Sequence, residues 1–172
     1  LIKREKPVGE DKESEFLLRG WELLNSLGYS HYEVSNFAKE GEECLHNKVY
    51  WNLGQYIGLG PTAESALGWN EMTVMRNTES LEEYFSTHAF NVSKLNKEET
   101  EESYLLTTLR TNKGIDKEEY RERFNKDFDS TYQERISILD KDTYFIDTDR
   151  FVVNEKGMLV LDYIILTLSM SI

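Results

Sequence analysis

The sequence predicts an α/β segment followed by a mainly helical segment that closes as a winged-helix-like module. Three observations carry this reading. An amphipathic helix ends at Gly28 and runs directly into an alternating strand, the α-to-β step of an α/β protein. From Asn96 onward, polar caps punctuate a run of helices. Two aromatic and β-branched runs then flank the turn Asp147-Thr148-Asp149-Arg150 and precede a last helix.

Residues 1–11 are charged, contain Pro7 and Gly9, and read as a loop. Asp11 and Ser14 are both residue types that cap a helix start. The helix that follows carries Phe16, Leu17, Gly20, Trp21, Leu24 and Leu27 on one face, and Gly28 is placed to end it. Tyr29 to Ser35 alternates, with Tyr32 and Val34 on one side and His31, Glu33 and Ser35 on the other. Asn36-Phe37-Ala38 then leaves the carboxyl end of this strand, the end where α/β folds build their ligand sites.

The stretch His46-Asn47-Lys48-Val49-Tyr50-Trp51 concentrates chemistry. An imidazole ligates metals through a ring nitrogen, and Tyr and Trp offer broad apolar faces with one polar handle each. Together they suit a flat, hydrophobic, metal-bearing ligand. The same residues also read as packing, with Tyr50 and Trp51 in the core and His46 in a loop. Downstream, Tyr56 to Gly60 reads as a short strand entering a tight turn. Gly58, Gly60 and Ala63 match G-x-G-x-x-A, a dinucleotide-binding pattern. Pro61 stands where a backbone N–H is wanted, so close backbone approach is the better use of these glycines. Met72 to Met75 is a further short strand after a turn at Asn70, and Ser80 caps a short helix through Tyr84 and Phe85.

In the second segment, Asn96 with Glu99 and Asp116 with Glu119 have capping-box spacing. The first opens a helix through Leu105 and Leu109, stopped by Gly114. The second opens one with Tyr120 and Phe124. Asp129 is the expected cap of a third, with Tyr132, Ile136 and Leu139 on one face. After the hairpin, Asn154 caps a last helix carrying Leu161, Ile164, Ile165 and Leu168. Winged-helix modules often bind DNA, but acids outnumber bases here, which favours a structural or protein-contact role.

A net charge of -12 argues against a general nucleic-acid binder, which needs clustered Lys and Arg. No apolar run is long enough to span a bilayer. The single cysteine, Cys44, excludes a disulfide framework and a complete Cys-ligated iron–sulfur site within these 172 residues, and points to a reducing, cytoplasmic compartment. Leu1-Ile2-Lys3-Arg4 reads as the interior of a longer protein, and no signal peptide is evident.

The order of motifs carries a resemblance. Gly28-Tyr29, Tyr32-Glu33-Val34-Ser35-Asn36-Phe37-Ala38, His46-Asn47-x-x-Tyr50-Trp51, Tyr56-x-Gly58-x-Gly60, Asn77 and Ser80-Leu81-x-x-Tyr84 together resemble the HemW-type, oxygen-independent coproporphyrinogen III oxidase-like family of radical S-adenosylmethionine proteins. The tail from Asn96, with Asn154-Glu155-Lys156-Gly157, resembles that family's C-terminal domain. The resemblance implies that residues 1–95 are the C-terminal portion of a partial TIM-like (β/α) radical SAM barrel. It implies that residues 96–172 are a winged-helix-like domain. HNxxYW is the family's heme-binding motif, which implies His46 as axial ligand to heme iron, with Asn47, Tyr50 and Trp51 as its supports. True oxidases of the family lack the hexapeptide, so it favours a heme chaperone that passes heme to acceptor proteins. Ala38 matches a position lining the S-adenosylmethionine pocket.

The family's CxxxCxxC loop for the 4Fe–4S cluster is not in this chain, so radical chemistry is not expected from it alone. Pro61 and Glu64 depart from the family's alanine-rich turn, and Leu45 replaces the proline of a heme-regulatory Cys-Pro pair. Cys44 is expected as a small buried or loop thiol. Lys48 is placed to offset the propionate charges. The alternatives are anaerobic oxidative decarboxylation of coproporphyrinogen III by the intact parent, and a non-catalytic interaction module in which His46 is buried. Exposed strand edges of an incomplete barrel would invite self-association.

Overall fold

A computed structural model describes residues 10–169. The expected N-terminal loop lies outside the described residues except at Glu10 and Asp11, which are already helical. The chain divides into two compact units, residues 1–43 and 44–172.

The first unit opens with helix α1 (Glu10–Ser26). Asp11 and Ser14 lie within this helix, so neither caps it. The helix ends as expected. Gly28 takes φ +83°, its N–H bonds to the Asn25 carbonyl at 3.0 Å, and the Tyr29 N–H bonds to the Leu24 carbonyl at 3.0 Å. This is a Schellman termination, which a residue without Cβ adopts at least cost. The expected apolar face is only partly covered. Trp21 and Leu24 are half-buried, whereas Phe16, Leu17 and Leu27 are exposed.

Strand β1 (Ser30–Glu33) does not run through Ser35. It turns back on β2 (Asn36–Ala38) as an antiparallel hairpin, pairing Ser30 with Ala38 and His31 with Phe37. Glu33 causes the turn. Its buried carboxylate accepts the Ser35 N–H at 3.1 Å and the Asn36 side-chain amide. Asn36 to Ala38 is therefore a second strand rather than an exit loop. Trp21, His31 and Phe37 form an aromatic stack, with ring centroids 4.6 and 4.3 Å apart.

The second unit begins with a short helix, α2 (Leu45–Trp51), followed by a three-stranded antiparallel sheet, β3 (Glu64–Gly68), β4 (Met72–Asn77) and β5 (Phe90–Leu95), with β4 central. Tyr56 makes only an isolated bridge to Ala66, so the expected strand through Gly60 is absent. Helix α3 (Leu81–Thr87) joins β4 to β5, and its cap is Ser80, whose hydroxyl accepts the Glu83 N–H at 3.2 Å. Strand β5 is a further element that the sequence reading lacked. Phe90-Asn91-Val92-Ser93 alternates, but neither face is buried, and pairing with β4 defines the strand.

Helix α4 (Lys97–Thr108) starts at the Asn96–Glu99 capping box, with both reciprocal bonds formed. Its Thr100 hydroxyl accepts the Met72 N–H at 3.2 Å and ties the helix to β4. Strand β6 (Ile115–Asp116) leads into α5 (Lys117–Phe124), where Asp116 caps by accepting the Glu118 and Glu119 N–H groups at 3.1 Å. Helix α6 (Phe128–Ile136) is capped by Asp127, not Asp129: the Asp127 carboxylate accepts the Ser130 N–H at 2.9 Å. Asp129 instead pairs with buried Lys117 at 2.8 Å.

The hairpin β7 (Tyr144–Ile146) and β8 (Arg150–Val153) forms as expected, with β6 added on the other side of β8. Asp147 closes the turn by accepting the N–H groups of Asp149 and Arg150. The expected last helix is two helices, α7 (Glu155–Met158) and α8 (Leu161–Ser169), and Asn154 caps the first. Helices α4 and α6 both pack on α8. The core is made of side chains such as Leu105, Leu109, Tyr120, Phe128, Phe151 and Leu168, all nearly fully buried. Each apolar one contributes about 1.5–3 kcal/mol of transfer free energy. All strand pairs among the described residues are antiparallel.

Candidate functional site

The hexapeptide folds as α2, which the sequence reading did not anticipate. Its residue types are mediocre helix formers, and seven residues are too few to hold a helix unaided. No side chain caps it: Cys44 occupies the N-cap position without a capping bond, and its thiol is exposed, not buried. No residue of α2 is buried, so the helix rides on the surface of the second unit, against α4.

The helical period explains the spacing of the motif. His46 and Tyr50 are one turn apart on one strip, and Asn47 and Trp51 on the adjacent strip. The His46 ring meets Tyr50 edge-on at 4.7 Å, and Tyr50 meets Tyr56 edge-on at 4.4 Å. Tyr56 is fixed in turn by two backbone bonds of 3.0 Å with Ala66 on β3. An aromatic stack thus runs from the sheet outward to His46, which is exposed at its end. Tyr50, Trp51 and Asn47 are half-buried. Burial, then Tyr50, then the Glu64 carboxylate push the Tyr56 phenol up, so it stays neutral.

Among the described residues no group of three His, Cys, Asp or Glu side chains could hold a bare metal ion. A single exposed imidazole backed by neutral aromatic rings suits a metal whose other ligands arrive with it. The structure brings His46, Tyr50 and, unforeseen, Tyr56 together. Ala38, buried in β2, belongs to the first unit. Lys48 is half-buried.

The glycine turn is engaged internally. Gly58 donates its N–H to Ser65 Oγ at 3.0 Å, and Gly60 donates to the Tyr84 hydroxyl at 3.0 Å. The N–H groups of Thr62 and Ala63 reach the Thr78 and Gly60 carbonyls. The Asn77 amide donates to the carbonyls of Gly60, at 2.9 Å, and Gly58. With these donors spent and Pro61 supplying none, the turn offers no phosphate cradle. Gly58 is needed for close approach: a Cβ there would lie 2.1 Å from the Glu64 carbonyl oxygen. Asn77, Ser80 and Tyr84, far apart in sequence from this turn, thus serve it directly or through the capped helix that carries Tyr84.

Residues 95–160 match the family model of the HemN C-terminal domain. The chain is 28% identical over 152 residues to the heme chaperone HemW of Buchnera aphidicola subsp. Acyrthosiphon pisum (strain APS), a match covering 86% of this chain and 40% of that protein. It is 39% identical over 62 residues to the heme chaperone HemW of Escherichia coli (strain K12), covering 36% of this chain and 16% of that protein. Its fold is similar to the solved structure of coproporphyrinogen III oxidase (HemN) from Escherichia coli, a radical SAM enzyme, with a TM-score of 0.66 and 18% identity over 95% of this chain and 42% of that one. The chain spans about 40% of the length of the curated relatives that it matches most extensively.

Proposed function

We propose that this HemW/HemN-like chain carries the heme-holding segment of a heme chaperone, with His46 as the axial ligand to iron. One observation carries the proposal. His46 stands exposed at the end of the Tyr56–Tyr50 stack, on a helix that no neighbouring side chain covers completely. Heme suits this arrangement as cargo, because the porphyrin supplies four ligands and the protein needs to add only one imidazole. Tyr50 and Trp51 then cover part of the porphyrin face, Asn47 orients the imidazole, and Lys48 offsets the propionates. The two HemW names support the reading at modest identity, whereas the HemN likeness supports the fold.

The remaining assignments follow from the same reading. Residues 1–95 are the C-terminal part of a radical SAM-type barrel, in which Ala38 lines the S-adenosylmethionine pocket. Residues 96–172 are the winged-helix-like domain. The 4Fe–4S cluster is held by residues outside this sequence, since Cys44 is the only thiol in it. The protein works in the cytoplasm and hands heme to acceptor proteins, and association of this chain with itself through strand edges is incidental. No described helix is long and apolar enough to cross a membrane. A pure interaction module, with His46 buried as packing, is disfavoured by the exposure of His46. Coproporphyrinogen III oxidation by the parent protein is the weaker alternative, since the HemN C-terminal family match covers residues 95–160 without the His46 segment and the likeness over the rest of the chain is one of fold.

The test is a hemin titration of the chain followed in the Soret region, beside His46→Ala. Saturable binding with a Soret band that shifts in the variant is expected. Unchanged affinity and an unchanged band in His46→Ala would remove His46 as ligand.

A further inference from the structure

Arg123 on α5 is a charge taken wholly out of solvent, with its side chain 0% exposed. Removing a guanidinium from water is costly unless its donors are used. Its nearest carboxylate, on Glu119, is 3.9 Å away. Nη1 is buried without a hydrogen-bond partner, and the other two nitrogens reach backbone far along the chain. Nε donates to the Trp69 carbonyl at 2.7 Å, and Nη2 donates to the Leu53 carbonyl at 3.2 Å. The guanidinium lies over the Trp69 ring at 4.5 Å and the Tyr104 ring at 5.3 Å.

Leu53 is the residue that terminates α2. Its N–H bonds to the Tyr50 carbonyl at 3.0 Å, and the Gly54 N–H bonds to the Val49 carbonyl at 2.8 Å. Those two bonds make a Schellman motif with Leu53 at the left-handed position, φ +48°. Glycine takes that position freely, and a leucine there is strained. Such a conformation persists only when its surroundings hold it. The surroundings here are the Schellman bonds and Arg123, a cation at the carbonyl end of the helix, where the helix dipole also favours positive charge.

We infer that Arg123 is a positioning residue for the ligand-binding helix: by holding the Leu53 carbonyl it fixes where α2 ends, and so how Tyr50 and His46 are presented. The inference rests on the heme reading above. Each helical residue turns the side chains by about 100°. Unwinding the last turn therefore removes Tyr50 from beneath His46. A helix seventy residues downstream thereby sets the geometry of α2 from its carboxyl end.

The experiment compares hemin binding by the whole chain with Arg123→Met, with Leu53→Gly, and with both together. Arg123→Met should weaken binding roughly tenfold, the loss expected for one hydrogen bond to a charged donor, and shift the Soret band. Adding Leu53→Gly should recover most of the affinity and the band, because glycine holds the terminator without the arginine. A merely structural arginine would not be rescued at residue 53. Wild-type binding by Arg123→Met, or no rescue in the double variant, overturns the inference. If Arg123→Met does not fold, Arg123→Lys with and without Leu53→Gly is read by the same criteria. His46→Ala separates the two readings. A band that does not depend on His46 removes the heme assignment and this inference with it. A His46-dependent band indifferent to Arg123 removes this inference alone.

Discussion

Replacing Glu101 by Gln and by Leu should destabilise the second unit by clearly different amounts. Glu101 is 6% exposed on α4. One carboxylate oxygen accepts from both the Tyr120 and Tyr132 hydroxyls, the latter at 2.6 Å, and the other accepts from Lys126. Gln keeps an oxygen with two lone pairs for the two tyrosines and loses only the lysine bond. Lys126 is 45% exposed, so solvent screening limits that loss to about 1 kcal/mol. Leu offers no acceptor, and each buried hydroxyl left unpaired costs about 1–3 kcal/mol. With apolar packing recovering part of this, Glu101→Leu should cost about 3 kcal/mol. Urea denaturation followed by helical circular dichroism reads both values. If the two variants fall within about 0.5 kcal/mol of each other, the tyrosine hydroxyls do not depend on Glu101. The same network predicts a pH dependence. Burial pushes the Glu101 carboxyl up, but the bonds from Lys126, Tyr120 and Tyr132 outweigh it and hold it below its ordinary value. Its stabilisation is therefore complete above the unfolded carboxylate value of about 4.3 and fades as pH falls through the lower folded value. Glu101→Gln should lack this component of acid unfolding.

Gly58→Ala places a Cβ 2.1 Å from the Glu64 carbonyl oxygen, so the turn must open. A loss of more than about 2 kcal/mol by thermal melting is expected, and a wild-type melting temperature would show that the close approach is not needed. Asn96→Ala removes the side-chain half of a capping box, leaving the backbone N–H bond to Glu99, and should cost about 1 kcal/mol. The change should appear in the denaturation midpoint without a change in slope.

Much of this protein is written locally. Ser80, Asn96, Asp116 and Asn154 cap their helices because each bond spans only two or three residues. Gly28 and the Asp147 turn were legible for the same reason. The hexapeptide was legible as chemistry, with His46, Asn47, Tyr50 and Trp51 named from their side chains, but not as a helix. Its residue types are weak helix formers, and its end is secured by Leu53 in a conformation that no propensity favours. Local signals also failed where two acids competed: Asp127 and Asp129 are both plausible caps, and the choice followed from Lys117, twelve residues before Asp129, claiming it as a partner.

The amino-acid sequence by itself determined most of the helix caps, the absence of a disulfide framework and the residues proposed to meet a heme. Tertiary structure alone decided that Tyr56 backs Tyr50, and that the glycine turn's donors are spent on Ser65 and Tyr84. It also decided that an arginine seventy residues downstream holds the end of α2. The physical reason is the range of the interactions. Capping and turn bonds close within a few residues and leave a pattern in sequence. A buried guanidinium that reaches two distant carbonyls, or a tyrosine hydroxyl that accepts a backbone N–H from a turn far away in sequence, leaves none until the chain is packed.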